Sequence, residues 1–253
     1  MLVPRHNGIE RSPQVHVVPV LRARQRNPAP ASPNPGSHRL RALIVRVGSK
    51  VVTVAGRRLA RGSNPLTAIL IAISVIVALG SGLGASFEKV EPLLISYYVK
   101  QGLPEIMSGE VWRLLTPIFI HFGFVHLAFN MLWLWDLGGG IERAQNWIQL
   151  ALLVIAIGIS SNLAQYAFGG PGFGGMSGVV YGLLAYIWMQ GRFNPRFGIS
   201  LRKPIMVWML AWYVICWTGL VGPIANMAHT AGLALGIAWG FTAAYIRPSR
   251  ASK

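Results

Sequence analysis

Residues 174–190 read GGMSGVVYGLLAYIWMQ, a glycine-rich turn that runs into an uncharged helix with Ser177 at the junction. A helix satisfies its own backbone hydrogen bonds, so a long apolar helix is the simplest structure that can cross lipid. Similar apolar stretches recur between Asn64 and Ile246. The chain is therefore predicted to be an all-α, polytopic membrane protein.

The composition favours the same class of protein. The chain of 253 residues is 53% hydrophobic and only 12% charged, whereas soluble proteins carry about 25% charged residues. Glycine, proline and charged residues divide the apolar part of the sequence into six candidate transmembrane helices. These spans are 65–85, 118–138, 147–167, 177–190, 204–221 and 226–246.

The positive charges are unevenly placed along the chain. The formal net charge is +16, but the cations gather in the amino-terminal tail and in alternate loops, which argues against a nucleic-acid partner. Short cytoplasmic loops are biased toward Lys and Arg, so this asymmetry predicts that both termini are cytoplasmic. The cations expected on the outer side are Lys89, Lys100 and Arg113.

The chain divides into three parts by composition. Residues 1–63 form a basic tail that is expected to be largely disordered, because it is rich in proline and lacks a long apolar run. Within it, residues 41–61 either lie on an anionic membrane surface or are a solvated basic segment. Residues 64–246 are the predicted membrane domain, and residues 247–253 a cytoplasmic tail.

Ser177 is a candidate nucleophile. The start of a helix carries unpaired N–H donors and a partial positive charge, which would stabilise an oxyanion or a serine losing its proton. Serine is also a common helix cap, so the position alone allows either role.

His229 is the candidate base, in the last predicted span. Glycines recur every four residues near His229 and after Ser177, and such spacing lets two membrane helices approach closely. We therefore expect a tight helix pair with Ser177 and His229 at the same depth. A membrane histidine suggests function, although His229 could instead hold helices together by donating to a carbonyl. The glycines are Gly178, Gly182, Gly232, Gly236 and Gly240.

His126 and Asn130 form a second polar group. They are four residues apart, so they share a helix face, and both can donate hydrogen bonds without carrying a charge, as an oxyanion hole requires. A metal site built from His121, His126 and His229 is the rival. No carboxylate lies at ligand spacing, and no His-Glu-x-x-His motif occurs. We predict neither a metal nor a cofactor.

No acidic residue is placed to orient His229. Asp136 and Glu142 fall near the inner end of the second span, so a Ser–His dyad is the simplest interpretation. Packing by Tyr181, one turn after Ser177, is expected to replace the third member of a conventional triad.

Over residues 64–246 the chain resembles the rhomboid intramembrane proteases, especially their compact six-helix bacterial form. Five motifs occur in the family's order and on consistent sides of the predicted membrane. They are Trp112-Arg113, His126-x-x-x-Asn130, Gly138-Gly139-x-x-Glu142, Gly175-x-Ser177-Gly178 and Ala228-His229-x-x-Gly232.

The resemblance implies a role for each matching residue. Ser177 would be the nucleophile and His229 its general base. His126 and Asn130 would complete the oxyanion hole with the Ser177 backbone N–H. Supporting positions would be Tyr181 against the histidine ring, Gly175 and Gly178 around the nucleophile, and Arg113 and Glu142 as structural groups of the outer loop and second helix.

The resemblance further implies transmembrane protein substrates, contact with membrane lipid and a bacterial inner membrane. Trp212 and Trp217 mark the fifth span as a lateral gate or as part of an aromatic belt. A channel or transporter is the first rival, but neither repeats nor a continuous polar path are visible. A non-catalytic rhomboid-like protein that binds membrane clients is the nearer rival, although it would be expected to lack Ser177 or His229.

Overall fold

The computed structural model describes residues 2–4, 64–99 and 102–246, and this part of the chain is mainly helical. Among the described residues, short helical turns lie in the outer loop, at 86–117, between the first two long helices. The main helices are α1 (Pro65–Gly80), α2 (Phe124–Trp133), α3 (Gly139–Ala144), α4 (Trp147–Gly169), α5 (Ser177–Phe193), α6 (Lys203–Trp217) and α7 (Asn226–Ile246).

The second predicted span starts and ends too early. The structure has a 3-10 turn at Thr116–Phe119 and begins α2 only at Phe124. Gly123 stops the helix from starting sooner, because its φ of +90° lies in the region that glycine favours. A π-helical turn at Leu134–Gly138 joins α2 to α3. His121 therefore lies before the helix rather than in it.

Helices α1 and α6 end earlier than the predicted spans. After α1 the chain turns through positive φ at Gly82, Leu83 and Gly84, and the Leu83 N–H donates to the Ala78 carbonyl at 2.6 Å. After α6, Gly219 has a φ of +76°. These backbone conformations cannot continue an α-helix.

Membrane-spanning capacity differs among the described helices. By length and composition, α4 is long and apolar enough to cross a bilayer, while α1 and α6 are shorter apolar helices. All six predicted segments contain helix. The count of six membrane crossings stays a prediction.

Helices α5 and α7 pack backbone to backbone. A Cβ atom built on Gly232 would lie 2.0 Å from the Gly178 carbonyl oxygen, and one on Gly236 would lie 2.1 Å from that of Gly182. Only glycine fits at such distances. The close approach predicted from the glycine spacing is confirmed, and it brings the first turns of both helices together.

Glu142 ties α3 to the start of α1. Its carboxylate accepts the N–H groups of Leu66 and Thr67 at 2.9 Å each, and the Thr67 hydroxyl at 2.7 Å. The first N–H groups of a helix have no partner inside that helix, so a carboxylate placed there satisfies them and favours the helix dipole.

A two-stranded antiparallel pair joins β1 (Leu2–Pro4) to β2 (Ile199–Leu201), with Val3 opposite Ser200. We expected disorder in the first part of the tail, and these three residues instead form a strand. The remainder of the predicted tail, at 1 and 5–63, and the carboxy-terminal segment 247–253 lie outside the described residues.

Candidate active site

Ser177 and His229 are in direct contact. Ser177 is the first residue of α5 and His229 lies in the first turn of α7; the distance from Ser177 Oγ to His229 Nε2 is 2.8 Å. His229 is only 5% exposed. Among the described residues, His229 Nδ1 has no hydrogen-bond partner. With the proton on Nδ1, Nε2 is free to accept the serine proton.

Tyr181 packs against the imidazole. The two ring centroids are 4.8 Å apart, and the Tyr181 hydroxyl donates to the Met209 carbonyl of α6 at 3.1 Å. The Tyr213 ring lies 5.7 Å from the Tyr181 ring. Both the ring and the hydroxyl of Tyr181 are therefore held in place beside His229.

The glycine-rich loop before Ser177 rests on the segment before α2. The Gly175 N–H donates to the Pro117 carbonyl at 3.0 Å, and a Cβ atom on Gly174 would lie 2.7 Å from Ile120 Cβ. Gly175 has a φ of +125°, a conformation that residues with side chains rarely adopt. This loop therefore needs glycine at both positions to place Ser177.

His126 lies beside Ser177. A Cβ atom built on Gly175 would be 2.7 Å from His126 Nε2 and 3.8 Å from Ser177 Oγ, so the imidazole occupies the space that the glycine leaves open. The His121 ring is 5.2 Å from the His126 ring and is fully buried. Within the described residues, no three His, Cys, Asp or Glu side chains are grouped to hold a metal ion.

Asn130 lies one turn after His126. Its amide Nδ2 donates to the His126 carbonyl at 2.9 Å, and the side chain is 5% exposed. An amide nitrogen carries two N–H groups, so one can bind the helix while the other serves a second acceptor. The contact also fixes the Asn130 side chain on the face that carries His126.

Gln165 of α4 is a residue that the sequence analysis missed. Its Oε1 accepts the N–H groups of Met227 at 3.1 Å and Ala228 at 3.3 Å, so it caps the helix that carries His229. A polar residue in an apolar span is a signal that could have found it. Its partner could not be read from the sequence, because it lies on another helix.

Arg113 is a structural centre of the outer loop. The buried guanidinium donates to the carbonyls of Glu91 and Leu94 at 2.9 Å each. It also contacts the Glu110 carboxylate and the Tyr97 hydroxyl. The Arg113 side chain thus connects four other residues of the loop.

Comparison with known proteins finds a family and individual relatives that this sequence matches. Residues 108–246 match the family model of the Rhomboid domain. Rhomboid protease GlpG of Salmonella paratyphi A (strain ATCC 9150 / SARB42) is 34% identical over 180 residues, which is 71% of this chain and 63% of the relative. The protein of the same name from Salmonella choleraesuis (strain SC-B67) is 41% identical over 137 residues, or 54% and 50% of the two chains. The chain thus spans less than two thirds of the length of these relatives.

Proposed function

The chain belongs to the rhomboid family, and from this premise we propose that it is an intramembrane serine endopeptidase that cleaves transmembrane segments of other proteins. The observation that carries the proposal is the 2.8 Å contact between Ser177 Oγ and His229 Nε2. A hydroxyl within hydrogen-bond reach of a base is the arrangement that makes a weak nucleophile reactive.

In the proposed reaction, Ser177 Oγ attacks the carbonyl carbon of the scissile bond as His229 Nε2 takes its proton. The negative charge on the carbonyl oxygen is stabilised by the Ser177 backbone N–H at the start of α5, with His126 and Asn130 as further donors. His229 then gives its proton to the leaving amine, and water hydrolyses the acyl-enzyme.

We propose that Ser177 and His229 act as a dyad. The support is that His229 Nδ1 has no hydrogen-bond partner among the described residues, while Tyr181 packs on the ring. In a triad the third residue orients the imidazole. Here the packing of Tyr181 on the imidazole ring does so.

The proposed topology has six membrane crossings with both termini in the cytoplasm of a bacterial cell and the site near the outer face. Helix α5 starts at Ser177, and β2 follows its opposite end. The pairing of β1 with β2 supports placing the amino terminus on the side away from Ser177. The cations of the loop around β2 favour the cytoplasmic side for that end.

The substrates that we propose are single-span proteins whose helices unwind easily, because a helical backbone shields its carbonyls from attack. They would enter past α6. This helix buries only Met209 and Cys216, and it exposes Trp212 and Trp217 by 49% and 47%. Few buried side chains hold α6, which favours its movement to admit a substrate.

The first test replaces each member of the pair. We expect Ser177→Ala and His229→Ala each to lower cleavage of a reconstituted transmembrane substrate by about four orders of magnitude or more, as in soluble serine proteases. Ser160→Ala is the matched control and should leave cleavage unchanged. A fluorophosphonate probe should label the wild type and the control but not Ser177→Ala.

Thermal unfolding in detergent checks that each variant is folded. If a folded Ser177→Ala variant kept wild-type turnover, the dyad would be wrong. If the wild type neither cleaved nor reacted with the probe, the chain would be a client-binding member of the family instead.

A further inference from the structure

Three aromatic rings form an exposed cluster at the carboxy-terminal ends of α5 and α7. The centroid of Phe193 lies 5.3 Å from that of Phe241 and 6.0 Å from that of Tyr245, and the last two are 4.7 Å apart. Their exposed fractions are 37%, 44% and 60% respectively. The rings pack on each other, yet they present an apolar surface outward.

Arg192 stands beside this cluster. Its guanidinium carbon is 5.4 Å from the centroid of the Phe193 ring, and the residue is exposed. Its guanidinium makes no hydrogen bond or ion pair with any residue that the structure describes. Neither α5 nor α7 contains an Asp or Glu, so its charge is not offset on these two helices.

We propose that Arg192, Phe193, Phe241 and Tyr245 bind a phospholipid with an anionic headgroup. Aromatic rings settle at the level where acyl chains meet headgroups, and a nearby cation attracts a phosphate. The rings would take the upper acyl chain, and Arg192 the phosphate. The occupant is a membrane lipid rather than a soluble anion, because the charge lies beside the Phe193 ring of an exposed aromatic cluster.

The proposed lipid site is separate from the active site. It lies at the end of α5 that is opposite Ser177, and none of its residues contacts His229. Lipid binding can therefore be measured without following proteolysis, so its failure and the failure of the proposed protease activity are distinguishable.

The test is native mass spectrometry of the purified full-length protein titrated with phosphatidylglycerol, or with phosphatidylcholine of the same acyl chains. We expect preference for phosphatidylglycerol. One cation near an anionic surface contributes enough to change affinity about fivefold, so Arg192→Gln should lose about fivefold while Arg192→Lys keeps most of the binding. Phe241→Leu should also weaken it.

Two variants serve as matched controls. Arg143→Gln removes an exposed cation of α3, and Phe168→Leu removes a ring of α4 that is 75% exposed. Neither lies in the cluster, so both should bind lipid like the wild type. The melting temperature of each variant checks its fold.

Several outcomes would overturn the proposal. Equal affinity for the two lipids would show that the site does not prefer an anionic headgroup. An equal loss from Arg143→Gln would indicate general surface attraction. Competition by millimolar inorganic phosphate would make the site one for free anions. Unchanged binding by a folded Arg192→Gln variant would leave the cluster without this role.

Discussion

At the level of single residues, the site depends on side chains that the backbone leaves room for. His126 reaches the neighbourhood of Ser177 Oγ only because residue 175 has no side chain. Asn130 is fixed by its bond to the His126 carbonyl. The two proposed donors are thus placed before a substrate arrives, which is the condition under which such donors stabilise a transition state most effectively.

Removing a proposed donor should therefore slow the reaction more than it weakens binding. We expect His126→Ala and Asn130→Ala each to lower kcat by about a hundredfold to a thousandfold, as for oxyanion donors in soluble proteases, with little change in KM. The measurement is steady-state cleavage in detergent. An unchanged kcat with a raised KM would place these residues in substrate positioning instead.

Gln165 allows a second prediction, because it acts on His229 through the start of α7. Gln165→Leu removes the acceptor for two helix N–H groups, which should cost about 1 kcal/mol of stability and reduce kcat. Gln165→Glu keeps an acceptor and should restore most of the rate.

Gln149→Leu in the same helix is the control for this substitution and should behave like the wild type. Rates and unfolding temperatures of all three variants are compared. If Gln165→Leu destabilised the protein without changing kcat, Gln165 would cap the helix but have no part in placing His229.

At the level of elements, α5 and α7 act as one unit. The Gly232 and Gly236 positions of α7 lie against the carbonyls of Gly178 and Gly182. The Gln190 side chain adds a hydrogen bond to the Gly240 carbonyl at 2.8 Å near the other end. Contacts along the whole α5–α7 interface, the seam, set the separation of the two helices. They therefore also set the distance between Ser177 and His229.

Gly232→Ala should separate the pair. The added methyl group would overlap the Gly178 carbonyl, so we expect the free energy of unfolding to fall by about 1–3 kcal/mol from overpacking. Since a displacement of 1 Å can cost about a hundredfold in rate, we also expect a comparable fall in kcat. Gly80→Ala is the control, because a Cβ atom there meets nothing within 4 Å. If both variants cleaved at the wild-type rate, the seam would tolerate more than the geometry allows.

Much of this architecture was predictable from the sequence, and the exceptions have local causes. Apolar runs locate helices, and the glycine spacing correctly indicated the α5–α7 contact. The start of α2 was missed because the stretch around Pro117 is apolar without being α-helical, and only the backbone of Gly123 decides where the helix begins. Gln165 was missed because hydropathy carries no information about partners on other helices.

At the level of the whole molecule, the two ends of the helices carry different residues. One end carries the contact between Ser177 and His229. The other end carries the β1–β2 pair and exposed cations. The pairing of β1 was beyond the sequence analysis, because a strand of three residues has too little pattern to distinguish it from a disordered segment.

This separation predicts the effect of removing the tail. Deleting residues 1–60 should leave turnover in neutral detergent unchanged, because every proposed catalytic group lies after Leu66, but it should lower the melting temperature slightly by removing β1. If the basic segment binds anionic lipid, the deletion should change activity only in liposomes that contain such lipid. Turnover is compared in both settings. A large loss in detergent despite normal folding would mean that the tail couples to the site.

The contact between Gly232 and the Gly178 carbonyl contains no rotatable side-chain bond. Elements with few buried side chains, such as α6, open locally at a lower free energy than closely packed elements do. We therefore expect the alignment of Ser177 with His229 to persist on warming until the contact between α5 and α7 opens. We therefore expect heat inactivation of the proposed activity to be abrupt and to coincide with the separation of the two helices.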